Sequence, residues 1–212
     1  MQDGAVGEAM LGFDPADHAF GDIYKLMIGS IVPRPIAFVS TVDELGVRNL
    51  APFSFFTAVC PDPPTVLFCP SVRPSTKGRK DTLRNVLATR EFVINIVSEE
   101  IAGQMNQCAA EVGPEVDEFE LSGLTAVPGE LVRAPRVAES PVQMECKLRE
   151  VVTISDQVGG GSIVIGEVVR FHIRAGIVDS YRIDPNKLKA IGRMGGPSYC
   201  RTLDRFEMER PK

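Results

Sequence analysis

Two stretches of this chain gather the residue types that bind and polarise small molecules. The first is Ser71-Val72-Arg73-Pro74-Ser75-Thr76-Lys77-Gly78-Arg79-Lys80-Asp81-Thr82, where four bases are interleaved with hydroxyl residues just ahead of a predicted helix. Cationic and hydroxyl donors beside the positive end of a helix can hold a phosphate without a glycine fingerprint. A solvated basic loop with an ordinary helix cap accounts for the same composition equally well. The second stretch is Arg48-Asn49-Leu50-Ala51-Pro52-Phe53-Ser54-Phe55-Phe56-Thr57, which mixes polar groups, small residues and three phenylalanines. Small residues let a planar ring approach the backbone. Main-chain N–H and C=O groups can then read a heteroaromatic edge, with Asn49 and Ser54 beside them. The plainer account is a buried strand packed by aromatic rings, and it is the commoner one for such a run.

What is missing narrows the chemistry further. The only histidines are His18 and His172, and there is no HExxH, no GxSxG, no Walker A sequence and no GxGxxG opening a helix after a strand. The zincin, α/β-hydrolase, P-loop and Rossmann routes are therefore closed. Nucleophilic catalysis would have to use His172, or His18 near the N-terminus. His172 is kept as a candidate catalytic residue, although a lone His near the end of an amphipathic strand is more often structural. The five cysteines, Cys60, Cys69, Cys108, Cys146 and Cys200, form no CxxC pair. No disulfide framework or metal site is expected, and burial as small hydrophobes is the reading adopted.

The elements that must position these residues are mostly strands. Eight prolines fall between Pro33 and Pro74, which forbids helices of normal length there. Between them lie β-rich runs at Ile36–Val42, Phe53–Cys60 and Thr65–Cys69. Asp43-Glu44-Leu45-Gly46 reads as a hairpin loop, with Gly46 in the left-handed position, leading into Val47–Ala51. Helices are expected at Asp22–Ile28, at Arg79–Arg90 with Leu83, Val86 and Leu87 on one face, and at Glu99–Val112 with Ser98 as N-cap. Phe92–Val97 is a short strand between the last two. Residues 143–149 alternate with period two, and Gly159-Gly160-Gly161 turns the chain. Ile163, Ile165, Val169, Phe171 and Ile173 then line one face of a long strand, and Val164, Gly166, Val168, Arg170 and His172 line the other.

Short strands followed by a long pair joined at a Gly turn point to a barrel or sandwich rather than to βαβ units. The 212 residues, with 44% hydrophobic and 24% charged, suffice for one folded domain with a real core. Residues 1–20 read as a loose arm and 21–212 as the domain. A net charge of −5 argues against a chain-wide nucleic-acid footprint, and no apolar run is long enough to span a membrane. The first twenty residues lack a basic n-region and an apolar core, so a cytoplasmic location is expected.

The order of motifs resembles the flavin reductase-like family of FMN-binding split barrels. The likeness is carried by Pro33-Arg34-Pro35-Ile36-Ala37-Phe38-Val39-Ser40-Thr41-Val42, Gly46 and Asn49-Leu50-Ala51-Pro52-Phe53-Ser54-Phe55-Phe56. It continues in Pro63-Pro64, Lys80-Asp81-Thr82, Phe92-Val93-Ile94-Asn95, Gly166-Glu167-Val168 and Arg193-Met194-Gly195-Gly196-Pro197-Ser198-Tyr199. The resemblance implies a mainly β fold, a six-stranded antiparallel Greek-key split barrel with a few peripheral helices. It also implies a homodimer with FMN, less readily FAD, at the subunit interface. NADH or NADPH would deliver a hydride to flavin N5, and electrons would pass to an oxygenase partner or a small acceptor.

Residue by residue, the resemblance sets Thr41 and Asn49, Leu50, Ala51, Pro52, Phe53, Ser54 and Phe55 near the isoalloxazine and ribityl chain. It sets Ser71, Lys80, Asp81 and Thr82 near the phosphate, with Arg34 and Arg193–Tyr199 lining the same pocket. Main-chain donors around Ala51–Phe55 would face the polar edge of the ring. One departure stands out. Many relatives place a His five residues before the Gly matching Gly166, where it is thought to seat the nicotinamide; this chain has Gly161 there. His172 lies later on the same strand. The acidic insert Glu111–Glu120, with five acids and no base, reads as a solvated loop, with a lid or dimer contact as the alternative. Two other functions stay open: a non-catalytic FMN-binding or storage module, and a pyridoxal phosphate or deazaflavin enzyme on the same barrel.

Overall fold

The computed structural model describes residues 9–73, 75 and 78–211. Helix α1 (Phe20–Ser30) leads into strands β1 (Ala37–Val42), β2 (Arg48–Phe53), β3 (Phe56–Pro61) and β4 (Pro64–Phe68). Helix α2 (Asp81–Thr89), strand β5 (Glu91–Ile96), helix α3 (Ala102–Gln107) and helix α4 (Glu118–Ser122) follow. The two-residue strands β6 (Ala126–Val127) and β7 (Arg136–Val137) pair with each other before the long strands β8 (Val142–Thr153) and β9 (Ser162–Ile173). Strands β10 (Val178–Asp179) and β11 (Arg182–Ile183), helix α5 (Pro185–Leu188), and strands β12 (Ile191–Arg193) and β13 (Tyr199–Arg201) close the chain.

One antiparallel sheet carries the domain, in the order β2-β1-β5-β8-β9-β4-β3. This is the mainly β split barrel expected, with seven strands in place of six. The β-rich runs read from the sequence already number seven; what moves is the boundary between Val47–Ala51 and Phe53–Cys60, which falls at Ser54 and Phe55 rather than at Pro52. Cys69 N donates to the Phe55 carbonyl at that break. The hairpin at residues 43–46 forms as expected. Asp43 Oδ1 accepts from Leu45 N and Val47 N, and Gly46 takes φ +93°. That left-handed position suits only a residue without a Cβ.

The barrel interior is a single apolar cluster. It includes Ala37 and Val39 of β1, Ala51 and Phe53 of β2, Phe92 and Ile94 of β5, Met144, Cys146 and Leu148 of β8, and Val164 and Val168 of β9. Leu83 and Val86 of α2 belong to the same cluster, so this helix plugs one mouth of the barrel. Gly166 lies on the inner face because a Cβ there would sit 2.3 Å from Cζ of Phe92. The inner face of β9 is therefore Val164, Gly166 and Val168, while the more apolar row of Ile163, Ile165, Val169 and Phe171 faces outward, with Phe171 52% exposed. A second cluster joins Phe38 and Leu50, on the outer face of the sheet, to Met105 and Cys108 around α3 and to Phe119 of α4.

Three local expectations are corrected. The helix expected over Glu99–Val112 is a 3-10 turn at Glu99–Ile101 followed by α3, which ends at Gln107. Ser98 makes no capping bond; its hydroxyl is buried without a partner among the described residues. The cysteines are not uniformly buried. Cys108 and Cys146 are, Cys69 and Cys200 are half-buried, and Cys60 is exposed on the edge strand β3. Of the N-terminal arm, residues 9–19 are exposed, and residues 1–8 lie outside the described chain.

Candidate functional site

The mouth plugged by α2 is polar where the rest of the barrel is apolar. Thr41 and Asn49 are paired across β1 and β2 at the end of the inner face, and both are buried. Thr82 Oγ1 donates to Asn49 Oδ1 at 2.7 Å, Asn85 Nδ2 donates to Thr41 Oγ1 at 3.0 Å, and Thr41 Oγ1 lies 3.3 Å from Asn49 Oδ1. The other end of the Asn49 carboxamide donates to Glu118 Oε2, which also accepts from Leu50 N at 2.5 Å. Five buried polar side chains are thus mutually satisfied, as buried polar groups must be. Burial pushes the Glu118 carboxyl up to about 7, against the hydrogen bond from Leu50.

The cationic turn meets this cluster at the start of α2. Arg73 and Arg84 both bond the buried carboxylate of Asp81. Asp81 is therefore occupied as a counter-ion rather than as a helix cap. Arg73 Nε is buried with no partner among the described residues. Lys80 occupies the N-cap position with its ammonium 5.6 Å from the Phe53 ring centroid. Its pKa is held below that of an ordinary lysine, first by burial and then by the charge of Arg73. An orphaned guanidinium N–H and a desolvated ammonium beside Thr82 form a donor set that an anion would satisfy. A phosphate fits these residues.

Two clefts flank the start of α2. One, of about 270 Å³, includes Asn49, Asp81, Arg84 and Asn85 in its lining; the other, of about 300 Å³, includes Ser71, Val72, Arg79 and Gly161. The residues expected around a phosphate are therefore split, with Ser71 in the second cleft and Asp81 in the first. Pro74, Thr76 and Lys77 lie outside the described residues. Ser71 is exposed and bridges Gly161. A Cβ on Gly161 would sit 2.9 Å from the Pro70 carbonyl oxygen, so a His here would require the backbone to shift.

The β2 backbone offers fewer donors than expected. Leu50 N points away from β1, since it bonds Glu118. Alternation along an antiparallel ladder then turns the N–H groups of Ala51 and Phe53 toward β1, and Pro52 has none. Only the turn residues Ser54 and Phe55 keep amides outside that ladder. Phe53 is a core residue, 5.1 Å from the Phe68 ring, while Phe55 is half-buried beneath the Arg34 guanidinium at 5.9 Å.

Arg34 is largely committed to the fold. Its Nη1 donates to the carbonyls of Ile28 and Ile31 at 2.7 Å, Nη2 to Met194 O at 3.0 Å and Nε to Ser54 Oγ at 3.3 Å. It clamps the end of α1 and the Arg193–Tyr199 hairpin against the β2–β3 turn, and Arg193 in turn stacks 4.4 Å over Tyr199. His172 is likewise committed. Its Nε2 lies 2.6 Å from Glu145 Oε1, and Glu145 is buried and accepts from the amides of Glu130, Leu131 and Val132. Eleven steps of β9 separate His172 from Gly161, about 36 Å of extended chain. His172 does not stand in for the missing His.

The acidic insert is not a solvated loop. Asp117 caps α4 by accepting from Phe119 N and pairs with Arg48 at 2.5 Å, and Glu118 enters the polar cluster. Glu111 accepts from Ser75 in the cationic turn. Glu118 and Asn85 were absent from the expected site, while Arg73 was expected only as one base of the cationic stretch. A signal for α4 was present, with an Asp cap, acids in the first turn and Gly123 as a stop.

Comparison with known proteins agrees with this geometry. Residues 28–184 match the model of the flavin reductase like domain. A protein of Aquifex aeolicus (strain VF5), itself uncharacterised, is 39% identical over 188 residues, 88% of this chain and 93% of that one. Nitrilotriacetate monooxygenase component B from Bacillus cereus superposes with a TM-score of 0.90 at 36% identity, covering 94% of this chain and 99% of that one. The 2-nitrobenzoate 2-nitroreductase NbaA of Pseudomonas fluorescens superposes with a TM-score of 0.86 at 32% identity, covering 95% and 96%.

Proposed function

Because this chain belongs to the flavin reductase-like family, we propose that it is an FMN-dependent oxidoreductase drawing electrons from NADH or NADPH. The observation that carries this reading is the donor set at the start of α2. Arg73 Nε has no partner among the described residues and Lys80 is desolvated, next to Thr82, whose hydroxyl already donates to Asn49. A flavin phosphate supplies the anion this set lacks. FMN, when bound, supplies the two-electron redox chemistry; the protein binds, orients and shields it. Lys80 and Arg73 donate to the phosphate, and Thr82, its hydroxyl proton on Asn49, backs them. Phe55 and the amides of the Ser54–Phe55 turn form the surface open to the ring. No acid–base pair is needed, which suits a site whose one histidine on the domain is tied to Glu145.

The clefts of one subunit, about 270 and 300 Å³, fall at or below the low end of small-molecule sites. We therefore propose that a second copy completes the pocket. The exposed edge strand β3 and the outward apolar row of β9 supply surface for that contact. The monooxygenase component and the nitroreductase among the similar structures suggest two classes of electron acceptor, an oxygenase partner and a nitroaromatic compound.

A second reading has its own support. With Gly161 where relatives place the nicotinamide His, the protein could hold FMN without turnover. Anaerobic addition of NADH or NADPH to the FMN-loaded protein separates the two. The reductase reading expects the visible flavin absorption to bleach. Bound flavin that stays oxidised with both nucleotides selects the storage module, and a retained ligand with the mass of pyridoxal phosphate or a deazaflavin selects the third reading.

A further inference from the structure

Glu118 is an unusual neighbour for an anion site. It is buried, and its carboxylate lies against two donors of β2, the Asn49 carboxamide and Leu50 N. Through the other end of Asn49 it is one hydrogen bond from Thr82, at the start of α2. The groups that face it from neighbouring elements are Lys80 and Arg73, which favour its charge, and Asp81, which opposes it. From the end of α3, Cys108 Sγ contacts the Glu118 carbonyl at 3.6 Å. On its own helix Asp117 and Glu120 are both engaged by Arg48 of β2. The two cations whose charge favours an ionised Glu118 are the same two that the FMN reading assigns to the phosphate.

We propose that Glu118 is a positioning residue of the phosphate subsite, which fixes the Asn49 carboxamide and couples docking of the flavin phosphate to uptake of one proton by its own carboxyl. This rests on the FMN reading above. A phosphate at Lys80 and Arg73 withdraws their charge from Glu118 and adds a like charge nearby. Both changes disfavour its ionised form. The proton comes from solvent, and no covalent step is involved. Free Glu118 titrates at about 7, so it binds a proton on docking at higher pH and already carries one at lower pH. By linkage, affinity for the phosphorylated flavin falls as pH rises through that value. Riboflavin, which lacks the phosphate, is indifferent.

The test measures FMN and riboflavin affinity of the flavin-free protein from about pH 6 to about pH 8, for the wild type and Glu118→Gln. Wild-type affinity for FMN should fall about tenfold across that range relative to riboflavin, and the variant should be nearly flat. The second ionisation of the phosphate, near pH 6, affects both proteins alike and cancels in the comparison. Calorimetry of the wild type in two buffers of different ionisation heat should show close to one proton taken up with FMN at about pH 8 and none with riboflavin. If the variant does not fold, the calorimetry is repeated on Lys80→Arg, whose guanidinium does not titrate, so that the uptake remaining is that of Glu118. Matching profiles in the two proteins, or no proton uptake with FMN, overturn the role of Glu118 while leaving FMN binding intact. Failure to bind either flavin at any pH would instead remove the functional reading, and this inference with it.

Discussion

At the level of single residues, the cationic turn is built from side chains that are incomplete without an anion. Among the described residues, Arg73 keeps a buried N–H without a partner, and Lys80 has lost water without gaining a carboxylate within bonding distance. Removing such donors costs about 1.5–3 kcal/mol when the hydrogen bond is charge-assisted. Lys80→Ala combined with Thr82→Ala should therefore weaken FMN retention at least about tenfold in equilibrium dialysis, with little effect on riboflavin. An FMN affinity equal to that of the wild type would place the phosphate elsewhere. Asn49, Lys80 and Thr82 were legible from residue type and spacing. Glu118 was not, because an acid in a run of acids carries no mark of burial until α4 docks it against β2. Arg34 was legible as a motif residue but not as a clamp, since the carbonyls it holds come from α1 and from a hairpin some 160 residues away.

At the level of elements, period-two patterning found β8 and β9, because each has one face in the barrel and one outside; β5, buried on both faces, showed only as a short β-rich run. The patterning did not say which face of β9 lies inside. The interior accepts Gly166 and small Val side chains because the Phe92 ring fills the space opposite. Gly166→Ala should overpack that contact and lower stability by about 1–3 kcal/mol, seen as a lower denaturant midpoint at unchanged slope. An unchanged midpoint would mean that the Phe92 ring is not held there. The split between β2 and β3 was legible, but Pro52 marked it two residues early, because Pro52 stays in β2 and the chain turns only at Ser54 and Phe55. The break is imposed from outside, by Arg34 on Ser54 and by Cys69 N on the Phe55 carbonyl. The helix expected over Glu99–Val112 stops early because residues after Gln107 leave the helical path. Ala109 and Ala110 make only i→i−3 turns, and Glu111 reaches across to Ser75.

At the level of the whole molecule, one barrel presents an apolar interior, a cationic mouth incomplete without an anion, and exposed apolar side chains at Phe171 of β9 and Val59 of β3. The first is what composition and alternation dictate. The second and third make sense together if two copies enclose two flavins, each phosphate resting on Arg73 and Lys80. Native mass spectrometry of the protein reconstituted with FMN tests that account most directly. It predicts a dimer carrying two FMN molecules, and loss of the FMN from the Lys80→Ala, Thr82→Ala variant. A protein that remains without flavin in excess FMN would contradict it.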